Sequence, residues 1–315
     1  MPRKIIIDCD PGIDDAFTLA LALFDPRLEV VAVTAVEGNV PAEQATRNVQ
    51  TCIEQLDPPK YPRVGAAAPS DSGSPNDARQ FHGADGLGNA DFAVASLVRQ
   101  HLSEKIICEE IRQAPGEVSI LCLGPLTNIA RAFAREPGII ADLDRLIIMG
   151  GSVNGIGNVT PCAEFNIHCD PTSAKKVFRS ASTKTIVPLD ATRSVRFGYD
   201  FLQKLPAATT SRAGAFLQKV MPHLFRAYRQ QVGLEHAYIH DVIALIQFLH
   251  PELFEMKEYE ADVETEGTIT TGMTIFDRRP QSQPHHNTEV AVNANADGVI
   301  EAILKCLAQS EKATS

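Results

Sequence analysis

The sequence has no tryptophan, and aromatic residues make up only 6% of its 315 residues. It also has no dense basic run, since 29 Lys and Arg stand against 39 Asp and Glu and the formal net charge is −10. Nucleic-acid-binding proteins neutralise phosphates with clustered positive charge, so nucleic acid is a poor candidate partner. Long hydrophobic runs are missing too. Ile5, Ile6 and Ile7 are too few for the apolar core of a signal peptide, and no later run reaches membrane-spanning length. We expect a soluble protein without a membrane partner.

Cysteines with the spacing of a metal or redox site are also lacking. The seven cysteines are odd in number, scattered, and never spaced as Cys-x-x-Cys. This pattern indicates neither a disulfide framework nor a zinc site. We therefore expect a reducing, cytoplasmic location.

The sequence does contain short β-branched runs that alternate with longer amphipathic segments. The runs predict buried strands at residues 4–7, 30–35, 118–123, 146–149 and 185–189. Helical spacing predicts helices at residues 14–24, 42–56, 91–112, 126–134 and 171–179. Such alternation is typical of βαβ units around a mostly parallel sheet.

The C-terminal half has a different pattern. It is almost wholly helical from residue 211 to about residue 249, then alternates like strands added at a sheet edge over 259–276 and 288–292, and closes with a helix over 297–307. Loops rich in Pro, Gly and Ser are predicted at 65–76 and 150–160. We predict one α/β domain over residues 1–310, with a mostly parallel, doubly wound (Rossmann-like) central sheet, extra edge strands and a helical C-terminal half, and a short polar tail at 311–315.

Four carboxylates follow the first predicted strand within eight residues: Asp8, Asp10, Asp14 and Asp15. Ligands of open α/β sheets bind outside the carboxyl ends of the strands, so this turn is a candidate site. Crowded carboxylates need protons or a cation, and hard oxygen ligands favour calcium or magnesium. The simpler alternative is that Asp14 and Asp15 only stabilise the first turn of a helix. Pro11-Gly12 predicts a tight turn that folds Asp10 back toward them, which favours metal binding, with Asp8 bracing the turn.

The segment Asp8-Cys9-Asp10-Pro11-Gly12-Ile13-Asp14-Asp15-Ala16 closely resembles the signature of the inosine-uridine preferring nucleoside hydrolase family. The resemblance continues in the family's order with Glu37-Gly38-Asn39-Val40, Phe81-His82-Gly83-Ala84-Asp85-Gly86-Leu87-Gly88, Gly124-Pro125-Leu126-Thr127-Asn128, Met149-Gly150-Gly151, Gly157-Asn158-Val159-Thr160, Ala163-Glu164-Phe165-Asn166 and His240-Asp241. These blocks cover nearly the whole chain. The least typical stretch is 268–277, where the family often has an Arg before the glycine that here follows Thr271.

The resemblance implies a calcium site and a hydrolytic activity. The calcium would be held by Asp10, by Asp15 in bidentate fashion, by Asp241 and by the backbone carbonyl of Leu123, which agrees with calcium's preference for six to eight oxygens. The implied reaction is cleavage of the bond between ribose and nucleobase by a calcium-bound water, with Asp10 as general base. The alternative for Asp241 is an ordinary solvated carboxylate at a helix start.

The same resemblance implies a sugar-binding set of Asp14, Asn39, Asn158, Glu164 and Asn166, with Met149 against the sugar. We further predict His82, Phe165 and Tyr228 as substrate-binding residues. Ionised acceptors bonded to ribose hydroxyls make strong hydrogen bonds and favour positive charge developing at the anomeric carbon. Met149 would give only apolar contact, and Asn158 taken alone would be turn chemistry. Glu164 and Asn166 would point to one side if their segment is extended.

A departing base needs a proton donor, and a histidine with a near-neutral pKa suits that role. We predict His240 as the leaving-group acid. His82 lies beside a glycine-rich segment that can close over a ligand, and its alternative is a hydrogen-bonded histidine without proton transfer. Tyr228, twelve residues before His240, completes the base pocket or belongs to the core.

The missing tryptophan also bears on the base. Purine-specific relatives of this family stack the base between aromatic rings that usually include a tryptophan. Because this chain has none, we predict a broad or pyrimidine-leaning preference covering inosine, uridine and cytidine. The resemblance further implies a homodimer or homotetramer. Two rival functions stay open, a calcium-dependent nucleoside-binding protein without turnover and a magnesium-dependent haloacid-dehalogenase-type phosphatase that would use Asp8 as nucleophile. Gly155-Ile156-Gly157 lacks the third glycine of a dinucleotide fingerprint, which argues against NAD.

Overall fold

The computed structural model describes residues 2–70, 77–93, 100–279 and 288–314. Within these ranges, nine strands form one sheet in the order β10-β13-β7-β6-β5-β1-β2-β3-β4, and two further pairs, β11-β12 and β8-β9, stand apart from it. The strands are β1 Arg3–Cys9, β2 Leu28–Ala35, β3 Arg63–Ala66, β4 His101–Leu102, β5 Val118–Cys122, β6 Leu143–Met149, β7 Lys184–Val187, β8 Phe197–Gly198, β9 His236–Ala237, β10 Phe254–Glu258, β11 Glu260–Val263, β12 Thr274–Asp277 and β13 Thr288–Ala294.

Helices connect these strands. They are α1 Ile13–Ala22, α2 Ala42–Leu56, α3 Arg79–His82, α4 Ser103–Gln113, α5 Thr127–Arg135, α6 Ile139–Asp142, α7 Phe165–Cys169, α8 Pro171–Phe178, α9 Leu189–Thr192, α10 Arg212–Ala227, α11 His240–Leu249 and α12 Ala296–Thr314. A π-helical turn, Tyr228–Val232, follows α10, and 3₁₀ turns span Tyr199–Lys204 and Pro251–Leu253.

The central sheet is buried on both faces, as the apolar runs predict. Successive side chains of a strand point to opposite faces, and in β1 Ile5 and Ile7 belong to one hydrophobic core while Ile6 belongs to the other. All three are fully buried. Every pairing in this sheet is parallel except the antiparallel pairing of β10 with β13. The predicted doubly wound α/β architecture is therefore confirmed.

The predicted helix at residues 91–112 is wrong in its first half. Asp91 has a left-handed backbone conformation (φ +50°), and His101 and Leu102 form β4 at the sheet edge. Residues 94–99 lie outside the described ranges. The helix itself is confined to Ser103–Gln113, because the chain must first pass along β3 in an extended conformation.

The edge strands differ from the prediction as well. The segment 259–276 does not join the central sheet but supplies β11 and β12, which pair only with each other in the described residues. The sheet edge is formed instead by β10, which was not predicted, paired with β13. The closing helix α12 runs to Thr314, past the predicted end at 307 and through the described part of the predicted tail.

None of the helices in the described ranges is both long enough and apolar enough to span a bilayer.

Candidate active site

Asp10 follows β1 at the carboxyl edge of the sheet, in a tightly packed position. Its Oδ2 accepts a hydrogen bond from the backbone N–H of Asn39 at 2.7 Å. Two glycines lie against it, since a Cβ added at Gly38 would stand 2.0 Å from Oδ2 and one at Gly124 would stand 2.7 Å from Oδ1. These glycines follow β2 and β5, so three strand ends close around one carboxylate.

A second group of carboxylates lies beside Asp10. Asp14, Asp15 and Asp241 each place an oxygen within 4.8 Å of the others. Asp14 and Asp15 come from the first turn of α1, and Asp241 from the first turn of α11. We predicted Asp15 and Asp241 as metal ligands and Asp14 as a sugar ligand, and the structure brings all three together.

This cluster fits a hard cation. Asp10 Oδ1, Asp14 Oδ1 and Asp15 Oδ1 are buried oxygens without a hydrogen-bond partner among the described residues. Burial, reinforced by neighbouring carboxylates, raises the pKa of Asp10, Asp15 and Asp241 well above the usual range. Such an arrangement holds either protons or a positive ion, and carboxylate oxygens are the ligands that calcium and magnesium prefer.

Leu123, whose backbone carbonyl is a predicted metal ligand, lies at the border of this site. Leu123 follows β5 and lines the same cavity as Asp14 and Asp241. Its oxygen accepts a 2.7 Å hydrogen bond from Asn166 Nδ2, which leaves one carbonyl lone pair. Asn166 Nδ2 also lies 3.2 Å from the carbonyl of Met149, so this one side chain ties the ends of β5 and β6 together.

Asp8 has a bracing role, as predicted. It is fully buried, and its Oδ1 accepts hydrogen bonds from Thr34 Oγ1 at 2.6 Å and Asn128 Nδ2 at 2.8 Å. A phosphatase of the haloacid dehalogenase type needs this first aspartate exposed as the nucleophile. The structure therefore removes that rival.

Glu164 and Asn166 lie in the site, but not on an extended segment. Glu164 is the N-cap of α7 and accepts hydrogen bonds from the backbone N–H groups of Asn166 and Ile167, and from that of Gly151 at 3.1 Å. The helix begins here because the carboxylate satisfies otherwise unpaired N–H groups. Burial raises the pKa of Glu164 to about 7.

Asn158 supports this same helix start. Its Oδ1 accepts a 2.8 Å hydrogen bond from the backbone N–H of Phe165. The backbone N–H of Asn158 in turn donates to the carbonyl of Ala163 at 3.1 Å. Both Asn158 and Phe165 line the cavity. The loop is therefore held by hydrogen bonds within the protein and also borders the cavity.

His82 ends α3 and is buried. Its Nδ1 accepts a 3.1 Å hydrogen bond from the backbone N–H of Ile13, which places the ring hydrogen of the neutral form on Nε2. Burial lowers the pKa of His82, although the Asp14 carboxylate acts in the opposite direction. His82 is thus a neutral donor at the start of α1.

His240 begins α11, and its ring lies between a threonine and a tyrosine. Nδ1 is 2.8 Å from Thr192 Oγ1, and Nε2 is 3.5 Å from the Tyr228 hydroxyl. The Thr192 hydroxyl lies 3.5 Å from its other acceptor, the Leu189 carbonyl. We therefore assign its proton to the shorter contact with Nδ1, which leaves the ring hydrogen on Nε2. Tyr238 stacks on the ring with centroids 5.7 Å apart.

The protonation state of His240 differs from the expectation. Burial lowers its pKa to about 4, and the Asp14 carboxylate only partly opposes this effect. At neutral pH the imidazole of the free protein is neutral, so it acts as a hydrogen-bond donor through Nε2–H rather than as a preformed imidazolium.

One cavity of about 590 Å³ collects most of the predicted residues. Its predicted lining residues are Asp14, Asn39, His82, Leu123, Met149, Asn158, Glu164, Phe165, Asn166, Tyr228, His240 and Asp241. Asp10 and Asp15 are buried and do not line it.

The cavity also contains residues to which the sequence analysis assigned no role. They include Asp77, Gln80, Phe81, Arg193, Val232, Leu234 and Tyr238. Two of them carried a usable signal. Tyr238 is two residues before His240, the spacing that puts side chains on one side of an extended segment. Arg193 follows the end of β7, where ligands of parallel sheets bind.

The atypical stretch 268–277 packs behind this site. Thr274 Oγ1 accepts a 2.9 Å hydrogen bond from the backbone N–H of Ser152, and the Thr271 carbonyl lies 3.1 Å from His168 Nδ1. None of its residues lines the cavity. It supports the loop after β6 from outside.

The chain shares its sequence and fold with known nucleoside hydrolases. It is 37% identical to the non-specific ribonucleoside hydrolase RihC of Salmonella agona over 297 residues, covering 93% of this chain and 94% of that protein. It is 35% identical to the probable uridine nucleosidase 1 of Oryza sativa subsp. japonica over 277 residues, covering 87% of this chain and 85% of that protein.

Among solved structures, the purine-preferring ribonucleoside hydrolase from Gardnerella vaginalis superposes with a TM-score of 0.88 at 26% identity, covering 98% of this chain and 99% of that chain. Residues 5–301 match the family of inosine-uridine preferring nucleoside hydrolases. The carboxylate cluster, the histidine-bearing cavity and these similarities agree, and the chain belongs to the inosine-uridine preferring nucleoside hydrolase family, whose members hydrolyse the N-glycosidic bond of nucleosides.

Proposed function

We propose that this protein hydrolyses ribonucleosides to ribose and free base with the help of calcium, that Asp10 is the general base and that His240 assists the departing base. The observation that carries this proposal is the shared cavity. Asp14 and Asp241, whose oxygens approach one another, line the same space as His240 and Tyr228. A sugar and a base can therefore be held by two different kinds of side chain in one site.

The carboxylates have the roles that N-glycosidic hydrolysis needs. Asp10 Oδ1 has no hydrogen-bond partner among the described residues, so a carboxylate kept ionised by the cation could take a proton from an attacking water there. Asp10, Asp15, Asp241 and the Leu123 carbonyl would hold the cation. Calcium, when bound, would make a coordinated water more acidic and would fix the ribose hydroxyls. Asp14 and Glu164 add carboxyl oxygens along the cavity, which would favour an oxocarbenium-like ribosyl group.

The base would lie against the aromatic residues near His240. The Phe81 and Tyr228 rings are 5.3 Å apart, and the Tyr228 and Tyr238 rings are 5.9 Å apart. With Nε2–H as a donor, His240 stabilises charge on the leaving base while it departs. Tyrosine hydroxyls and an imidazole can bind the polar edges of purines and pyrimidines alike, which supports the broad form of the proposed broad or pyrimidine-leaning preference.

The activity test is a panel of nucleosides with calcium present. The protein is incubated with inosine, guanosine, uridine or cytidine, and the free base and ribose are separated and measured. We expect release from inosine, uridine and cytidine. Release from guanosine alone would contradict the proposed preference. Nucleoside binding by calorimetry without any released base would instead support the nucleoside-binding protein.

The remaining features of the proposal concern location and assembly. All seven cysteines are free and six of them are buried, which supports the reducing cytoplasm that we propose. We further propose that residues 1–310 act as one hydrolase domain, that the short polar tail at 311–315, whose described residues continue α12, lies outside it, and that the protein is a homodimer or homotetramer. Light scattering coupled to size-exclusion chromatography measures the assembly directly, and a monomer would contradict this part.

A further inference from the structure

The segment after β7 contacts two separate parts of the cavity wall. Thr192, at the end of α9, lies 2.8 Å from the ring of His240. The next residue, Arg193, donates from Nη2 to the carbonyl of Gly157 at 2.8 Å and from Nη1 to that of Ile156 at 3.3 Å. Adjacent residues therefore bond to the histidine on one side and to the loop that carries Asn158 on the other.

The loop at residues 152–163 has a second bond to the same segment. Asp190 accepts hydrogen bonds from the backbone N–H groups of Val153 at 2.6 Å and Asn154 at 3.1 Å. Asp190 therefore fixes the beginning of the loop, and Arg193 fixes its middle. The loop is exposed elsewhere, because Ile156 is 63% and Val159 42% solvent-accessible.

Arg193 suits this position because of its chemistry. A guanidinium has five donors in a rigid fork, so one side chain can bind two successive carbonyls. Arg193 also lines the cavity, and its charge is close enough to lower the pKa of Glu164 and His240. Arg193 is therefore part of the cavity wall, and its hydrogen bonds are made to the backbone of the loop.

We propose that Arg193 is a positioning residue that holds the 152–163 loop against the cavity and so places Asn158 for the substrate. The hydrogen bonds of Arg193 are within the protein and do not depend on its activity. Only the effect on turnover rests on the proposed nucleoside hydrolysis. Loss of the bonds frees the loop, and Asn158 then spends less time where a ribose can reach it. Arg193 thus acts on the substrate through Asn158.

The test is a double-mutant cycle with Arg193→Met and Asn158→Ala, measured by kcat and KM for uridine. We expect Arg193→Met to raise KM by about tenfold while kcat changes by no more than about twofold. In the Asn158→Ala background, Arg193→Met should add less than about a twofold change, because the residue through which it acts is gone. Arg193→Lys should recover part of the loss, since an ammonium can bind one carbonyl.

The matched control is Arg196→Met, which makes the same change on the same segment. Arg196 is exposed and does not line the cavity, so KM should stay at the wild-type value. Independent, multiplicative losses in the double variant would overturn the proposal, because Arg193 would then contact the substrate itself.

A second measurement needs no activity. Thermolysin cleaves before exposed Ile and Val, and cleavage before Ile156 or Val159 is followed by mass spectrometry. We expect cleavage there to be about tenfold faster in Arg193→Met than in wild type and unchanged in Arg196→Met. Equal rates in all three proteins would overturn the proposal, even if the wild type hydrolyses nucleosides. Faster cleavage in a protein that releases no base would support the loop role and contradict the proposed function.

Discussion

The backbone N–H of Asn39 donates to Asp10 Oδ2 at 2.7 Å, so that the other carboxylate oxygen, Oδ1, is the one without a hydrogen-bond partner among the described residues. Asp10→Asn can keep the bond through its amide oxygen and loses only the basic group. We expect kcat for uridine to fall by about 10²–10⁴-fold while the circular dichroism spectrum is unchanged. Asp200→Asn, at an exposed site, is the control and should retain full activity. An Asp10→Asn enzyme within about tenfold of wild type would contradict the general-base role.

Calcium should stabilise the protein more strongly at higher pH. Without a cation, burial and like charge raise the pKa of Asp10, Asp15 and Asp241. Protons and the cation therefore compete for the same oxygens, and cation binding releases protons. We expect the rise in melting temperature on adding calcium to be larger near about pH 8 than near about pH 5.5. Asp15→Ala should remove most of the rise, and a rise equal at both pH values would count against this site.

Chelation gives the corresponding activity measurement. Treatment with EGTA should abolish base release, and added calcium should restore it. Magnesium is added in place of calcium in a parallel sample. Recovery of base release with calcium but not with magnesium would identify calcium as the cation. Full activity after exhaustive chelation would contradict the proposed calcium dependence.

His240→Ala should separate substrates by leaving group. We expect a loss of about 10²-fold or more for uridine and a much smaller loss for p-nitrophenyl riboside, whose leaving group needs no proton. Equal losses on both substrates would contradict the role in assisting the base.

Thr192→Val should reproduce a part of this effect. The change preserves the shape of the side chain and removes the hydroxyl that lies 2.8 Å from His240 Nδ1. We expect the ring to lose its fixed tautomer, with a loss of about tenfold for uridine and little loss for p-nitrophenyl riboside. Thr51→Val, which removes a hydroxyl bonded to a carbonyl of its own helix, is the control. If Thr192→Val retained wild-type kinetics for uridine, the assigned tautomer would be wrong.

Lys184 gives a prediction about stability rather than activity. It is fully buried at the start of β7, and burial lowers its pKa from 10.5 to about 8. Between these values the unfolded chain binds more protons than the folded one, so this group's contribution to the free energy of unfolding rises with pH. We expect wild type to gain stability relative to Lys184→Met between about pH 7 and about pH 10 in urea titrations. A difference between the two proteins that stays constant with pH would contradict this, and exposed Lys176→Met is the control.

The sequence predicted those parts of the molecule that depend on local pattern. The core strands β1, β2, β5, β6 and β7 were found because each is a β-branched run buried on both faces, and the opening aspartates because a strand end with four carboxylates needs a counter-charge. The edges were harder. β3 and β4 are short and owe their strand conformation to the neighbouring strand, so their sequences carry little signal of their own.

The finer geometry of the site was also beyond the sequence. Glu164 caps α7, and burial makes His240 neutral. Both properties depend on which groups surround the side chain in three dimensions. Thr192 and Arg193 were missed for the same reason, because their partners are 48 and about 36 positions away along the chain. Only strand-end position pointed toward them.

The two glycines that pack against Asp10, Gly38 and Gly124, should tolerate redesign less well than the apolar residues that line the cavity. At positions 38 and 124 even a methyl group would displace the carboxylate, so, given the role that we propose for Asp10, we expect a library that varies these positions to consist mainly of inactive proteins. The aromatic and aliphatic residues Phe81, Val232, Leu234 and Tyr238 line the cavity, and none of them is among the nearest neighbours of the two glycines. An engineer seeking a different base preference would vary those four and keep Gly38 and Gly124 as they are.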